Sequence, residues 1–143
     1  MCPGKFLDTE STATRRFGND YILLRYADVL LMIAEAQNEI GYQSAGVAFN
    51  YLNDIRERAG LTALTATEVP NQSTFRDVIL NERFLEFPYE GHRWFDLTRT
   101  QTAKAEMELL GKTVQSHQLL WPIPQAEIEK VNNPNILGQN PGY

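Results

Sequence analysis

A mainly α-helical fold is what this sequence predicts, and three observations predict it. Apolar residues recur at helical spacing in three separate stretches between Tyr26 and Phe87. Gly41 and Gly60 follow two of those stretches where a helix C-terminus needs glycine, and Pro88 follows the third. Beyond Asn132 the chain turns to asparagine, proline and glycine, so its last segment is irregular.

Residues 1–20 are polar and mixed, with Gly4, Thr9, Ser11, Thr12, Gly18 and Asn19 and no periodicity, and read as a loop or a cut end. Tyr21 to Arg25 forms a short extended lead into the first helix, Tyr26 to Ile40. Ala27, Leu30, Leu31, Ala34, Ile33 and Ile40 supply its helical spacing, and Val29 and Met32 widen the apolar face. Such a helix belongs between neighbours, and Ala27, Ala34 and Ala36 let them approach closely. Gly41 ends it as a C′ residue.

Ser44 is the expected N-cap of a second helix running to about Ala59. Ala48, Leu52, Ile55 and Ala59 form a single stripe, expected to face the first helix. Gly60 stops this helix, and Leu61 is placed for a Schellman cap. Two such helices joined by a tight turn make an αα-hairpin, the unit of tetratricopeptide-type repeats. No second copy is present, so any array is expected to continue upstream of Met1.

A polar loop over residues 62–72 leads to a third helix, capped by Ser73 or Thr74. It carries Phe75, Val78, Ile79 and Leu85, with Leu80, Phe84 and Phe87, until Pro88 kinks or ends it. Shorter helices are expected at Glu90 to Arg99 and Ala103 to Leu110, and an extended piece at Gln118 to Pro124. Pro124 then opens a single helical turn. The domain plan is a loop or cut end over 1–20 and one domain over 21–143.

Composition narrows the function. The chain has 143 residues, 43% of them apolar and 22% charged, as in ordinary globular proteins. A net charge of −5 repels phosphate backbones, which argues against nucleic acid as a partner. Cys2 is the one cysteine, so no intrachain disulfide forms. Met1 to Lys5 has no apolar run and is neither a signal peptide nor a lipobox. Arg25, Asp28 and Glu35 interrupt the most apolar stretch, Tyr21 to Ala36, which is also shorter than the ~20 residues of a membrane span. Any anchor is expected upstream of Met1.

The densest chemistry lies between Asn81 and Arg99. Glu82, Glu86 and Glu90 are spaced four apart and share one face if the helix reaches Glu90. Paired carboxylates invite a glycosidase reading, but catalytic carboxylates flank a substrate from opposite sides, which neighbours on one helix do not. The favoured account is structural: like charges at this spacing repel and require cations. Arg83 and Arg93 lie three residues from Glu86 and Glu90, and Arg25, Arg56 and Arg58 lie on the hairpin. With Asp96 and Arg99, these form a candidate ion-pair network locking the third helix onto the hairpin. Trp94 and Trp121 could stack on sugar rings, but both are expected in core. His92 and His117 lack partners at metal-ligand spacing, and no phosphate loop, nucleophile elbow or HExxH occurs. Neither an enzyme nor a cofactor is expected.

Four segments, in order, resemble the C-terminal signature of the SusD/RagB family. They are Leu24 to Ala36, Leu52 to Leu61, Glu82 to Phe87 with Glu90 to Arg99, and Leu120 to Pro124 with the closing Gln139 to Tyr143. The resemblance implies a lipoprotein on the outer membrane of Gram-negative bacteria, helical and tetratricopeptide-like. It implies capture of an oligo- or polysaccharide or other nutrient for a SusC-like TonB-dependent transporter, without cleavage. Family ligand contacts come largely from loops elsewhere, so no ligand residue is carried over. The large N-terminal part and the lipidated cysteine of the family are expected upstream of Met1, and Cys2 is not expected to be that cysteine. The competing reading is a generic helical-repeat module that binds a protein in its hairpin groove; a first helix apolar nearly all round weighs against it.

Overall fold

The computed structural model describes residues 4–6, 18 and 20–143. Most of the expected loop over 1–20, Cys2 included, lies outside the described residues. The helices are α1 (Tyr26–Ile40), α2 (Val47–Arg58), α3 (Gln72–Glu86), α4 (Arg93–Arg99), α5 (Ala103–Leu109) and α6 (Gln125–Val131). Single 3₁₀ turns occur at Gly4–Phe6 and Ser116–Leu119, and no strand occurs among the described residues. The fold is all-helical, as the sequence predicts. The chain forms two compact units, one ending at Glu86 and one spanning Phe87–Tyr143.

In the first unit α1 packs on both α2 and α3. Leu31, Ala34, Leu52, Phe75 and Ile79 are almost wholly buried there. Phe49 and Phe75 stack at 4.4 Å, and the Tyr42 ring meets both edge-on at 6.1 and 6.2 Å. The Tyr42 hydroxyl donates to the Val69 carbonyl, which satisfies the polar end of a half-buried ring. Asn38 Nδ2 donates to the Gln72 carbonyl at 3.0 Å, and Gln72 Nε2 returns a bond to the Asn38 carbonyl at 2.6 Å, joining α1 to the start of α3. Asn53 grips the loop before α3 through both ends of its side-chain amide, Nδ2 donating to Leu64 O at 3.0 Å and Oδ1 accepting from Leu64 N at 2.8 Å.

Four details differ from expectation. The Ser44 cap is not formed: Ser44 lies in a turn closed by Gly46 N donating to Gln43 O at 3.2 Å, and α2 starts behind Gly46. A Cβ at Gly46 would sit 2.9 Å from Gln43 Cβ, so any larger residue there forces the turn to shift. Ala59 is exposed, because α2 ends at Arg58 and the stripe leaves the interface after Ile55; Phe49 joins the core instead. Asn71, not Ser73 or Thr74, caps α3: its Oδ1 accepts from Thr74 N at 2.9 Å. Gly41 ends α1 in extended backbone, φ 168°, and not in the left-handed cap assumed for it. Gly60 does take that cap, with φ 78° and the two Schellman bonds Leu61 N to Arg56 O and Gly60 N to Glu57 O.

Pro88 ends α3 at Glu86 instead of kinking it, since the residue before a proline is steered out of helical conformation. Glu90 therefore leaves the face shared by Glu82 and Glu86 and falls in a turn.

In the second unit α4 packs on α5. Gln118 and Leu119 belong to the 3₁₀ turn, so the extended piece is shorter than expected and begins at Leu120. Pro124 caps α6 from outside the helix, not as its first residue. The irregular tail is ordered by side-chain bonds to backbone. Gln139 accepts from Ile123 N at 2.8 Å and donates to Ile123 O at 2.9 Å; Asn140 Nδ2 donates to Trp121 O at 2.6 Å; the Tyr143 hydroxyl donates to Leu120 O at 2.9 Å. These bonds satisfy backbone groups that no helix or sheet pairs. Trp121 is 77% exposed in this chain and Trp94 half-buried, so neither is the core residue expected. For Trp121 the cause is long-range: Asn140, 19 residues on, holds its backbone carbonyl.

Candidate functional site

The charges of the first unit converge on α3. Glu86, its last residue, accepts from Arg25 Nη1 at 2.6 Å and from Arg58 Nη2 at 2.5 and 2.6 Å. Its carbonyl accepts from Arg25 Nη2 at 2.7 Å and Lys5 Nζ at 2.6 Å, so cations gather where the helix dipole is negative. One turn earlier Glu82 accepts from Arg56 Nη1 at 3.0 Å, and Arg56 Nε also reaches Thr62 O at 3.1 Å. Arg83 points the other way and donates to Asp28 Oδ1 on α1 at 2.6 Å.

Burial ranks these pairs. The side chains of Arg83 and Asp28 are only 6% and 5% exposed, and Glu82 only 3%. Arg58 is 57% exposed and contributes less, because water screens it. The pairs join α3 to both helices of the hairpin.

Four candidate charges lie in the second unit. Arg93 Nη2 meets Glu106 Oε2 at 3.3 Å between α4 and α5, and Arg99 donates to Asp96 Oδ1 at 3.0 and 2.8 Å within α4. Glu90 is buried, in the turn before α4. Spacing along the chain sets Arg83 beside Glu86 and Arg93 beside Glu90; the fold also joins Arg83 to Asp28 and Arg93 to Glu106. Asp28, which in the sequence interrupts an apolar run, is a partner that local spacing does not name. A lone acid on the apolar face of a helix was the available signal, since such a group requires a cation.

Arg76 and Glu39 form a bidentate pair at 2.6 and 2.6 Å between α3 and α1. The Arg76 hydrogen bonds and charge hold the Glu39 carboxyl below its ordinary range. A carboxylate depressed in the folded state contributes stability above its unfolded pKa, and loses it as pH falls through the lowered value. Glu39→Gln is therefore expected to melt slightly below the parent at neutral pH, with the gap closing in acid below the ordinary glutamate range. Melting curves across that range, repeated at high salt where the gap should shrink, check this.

Glu82 and Glu86 stand one turn apart on one helix and each is bound by guanidinium, which is not the geometry of carboxylates flanking a substrate. Among the described residues no group of His, Cys, Asp and Glu could hold a metal ion. No helix among them is long and apolar enough to cross a membrane. A cleft of about 360 Å³ opens beside α1 and α2, and one of about 300 Å³ lies in the second unit beside Thr98, Gln101, Lys104 and Leu119.

The described residues thus form an all-helical fold whose hairpin is joined to a third helix by arginine–carboxylate pairs. Its family is the SusD family, to which this chain belongs: the model of that family matches residues 1–143. SusD-like protein P2 of Formosa agariphila is 36% identical over 139 residues, 90% of this chain and 27% of that protein. SusD-like protein P38 of the same organism is 36% identical over 128 residues, 85% of this chain and 24% of that one. The crystal structure of a SusD superfamily protein from Parabacteroides distasonis superposes with a TM-score of 0.67 at 35% identity, covering 86% of this chain and 27% of that one. The chain thus spans about a quarter of the length of these relatives.

Proposed function

We propose that this chain is the C-terminal domain, over residues 21–143, of a cell-surface protein that binds a glycan or other nutrient without cleaving it. The family match along residues 1–143 carries the reading. The protein passes its oligo- or polysaccharide ligand to a SusC-like TonB-dependent transporter, and sits on the outer membrane through an N-terminal lipid anchor carried outside this chain. The arginine–carboxylate network serves as scaffold: Arg25 and Arg58 with Glu86, Arg56 with Glu82, and Arg83 with Asp28 hold α3 to the hairpin.

Titrating a full-length protein that carries this domain with an oligosaccharide panel tests the binding role, and co-purification with its transporter tests the partnership. Turnover of any oligosaccharide, or no binding across the panel, would count against it. The scaffold role has its own test. Glu86→Gln removes charge from bonds to Arg25 and Arg58 and is expected to destabilise the first unit by about 1–3 kcal/mol, leaving glycan affinity unchanged. If affinity vanished while the melting temperature held, Glu86 would be a ligand residue and the scaffold assignment wrong.

A further inference from the structure

The cleft of about 300 Å³ in the second unit gathers side chains from separate elements. Thr98 comes from the last turn of α4, Gln101 from the link after it, Lys104 from α5 and Leu119 from the 3₁₀ turn Ser116–Leu119. Gln101 follows α4 as its C′ residue, in the left-handed region at φ 60°. The Schellman bonds Thr102 N to Leu97 O at 3.0 Å and Gln101 N to Thr98 O at 3.2 Å fix it there. Glycine takes that position without strain, and glutamine does not. Among the described residues the Gln101 amide side chain has no hydrogen-bond partner, so no internal bond offsets the strain. Lys104 Nζ donates to Ser116 Oγ at 2.8 Å, which holds the ammonium and leaves its other donors unspent. Thr98 Oγ1 donates to Trp94 O at 3.0 Å and keeps its lone pairs for accepting. A strained residue with an unspent polar side chain, lining a cleft beside a held cation, points to a ligand.

We propose that this cleft is a subsite for a carboxylate-bearing sugar unit, a uronate, an inference that rests on the glycan-binding role proposed above. Lys104 pairs with the carboxylate, the Gln101 amide and Thr98 hydroxyl bond ring hydroxyls, and Leu119 offers an apolar edge to the ring. Charge selects the class. Lys104 supplies the charge of the cleft lining, and one ammonium matches a monoanion. A phosphate dianion draws on several cations, and the net charge of −5 repels it more strongly. The polar side chains beside Lys104 select a hydroxylated ligand over a bare carboxylate. Size selects a single unit: the cleft volume of about 300 Å³ stands at the small end of ligand pockets, which run to about 1,000 Å³.

The test titrates a full-length protein that carries this domain with sodium glucuronate, and with glucose and sodium acetate as controls, followed by NMR. Glucuronate is expected to bind saturably and at least tenfold more tightly than either control. Lys104→Met should weaken it at least tenfold. Gln101→Gly should weaken it severalfold while the melting temperature holds or rises, because glycine relieves the strained position. Both residues are exposed, so neither change disturbs the core, and circular dichroism checks that the helices persist. Acetate binding as tightly as glucuronate would make the cleft an anion site only, and glucose doing so would remove the role of charge; either result overturns the proposal. So does glucuronate binding that is indifferent to Lys104→Met. If the oligosaccharide panel finds neutral glycans bound and glucuronate ignored, the glycan-binding role stands and the subsite falls. If no oligosaccharide binds, that role falls, and the glucuronate titration decides the cleft by itself.

Discussion

Replacing Asp28 by alanine is expected to destabilise the first unit by about 3–5 kcal/mol, the range for removing one partner of a buried ion pair. Arg83 donates to Asp28 at 2.6 Å where both side chains are about 5% exposed, so the lost carboxylate leaves a guanidinium undercompensated in a dry site. Asp28 also lies in the first turn of α1, where a negative charge complements the helix dipole. A paired change, Asp28→Leu with Arg83→Met, removes both charges and keeps volume, and should recover much of the loss. Denaturant unfolding of the three variants reads this directly. A loss below about 1 kcal/mol for Asp28→Ala would place the pair with surface bridges and overturn its assignment as buried.

That pair also shows where sequence reading stops. Asp28 and Arg83 are 55 positions apart, and nothing local to either names the other. The like charges at Glu82 and Glu86 announce that cations are needed, because i, i+4 repulsion is a property of one helix. Which arginines answer depends on how α2 crosses α3, and that is tertiary. Helix limits divide the same way. The range Tyr26–Ile40 was legible because apolar periodicity begins and stops within the stretch itself. The start of α2 was not, since the Gln43–Gly46 turn takes up Ser44 before the helix begins. The exposure of Trp121 depends on a non-local fact: Asn140 and Gln139 bind the backbone of Trp121 and Ile123 across 19 and 16 positions. The all-helical class was readable throughout, being a sum of local patterns. The bonds that order the tail and the ion pairs were not, being single long-range contacts.

Leu52→Ala is expected to cost about 2–5 kcal/mol, because Leu52 is 0% exposed and stands at the middle of the α2 stripe. The loss has two parts: apolar surface no longer taken from water, and a cavity that close-packed neighbours only partly fill. Ala48 at 6% and Ile55 at 2% exposure flank it one turn away on each side, so the site is enclosed and should collapse poorly, which favours the upper half of the range. Ile55→Val, which removes one methylene from the same interface, should cost about 0.5–1.5 kcal/mol. Ala59→Ser supplies the contrast: that residue lies just past the end of α2 and is exposed, so its change should stay within about 0.5 kcal/mol. Thermal and urea unfolding of the three variants give the order Leu52, Ile55, Ala59. If Ala59→Ser destabilised as much as Leu52→Ala, the stripe would extend through residue 59 and α2 would lie against α1 in a different register from the one described above.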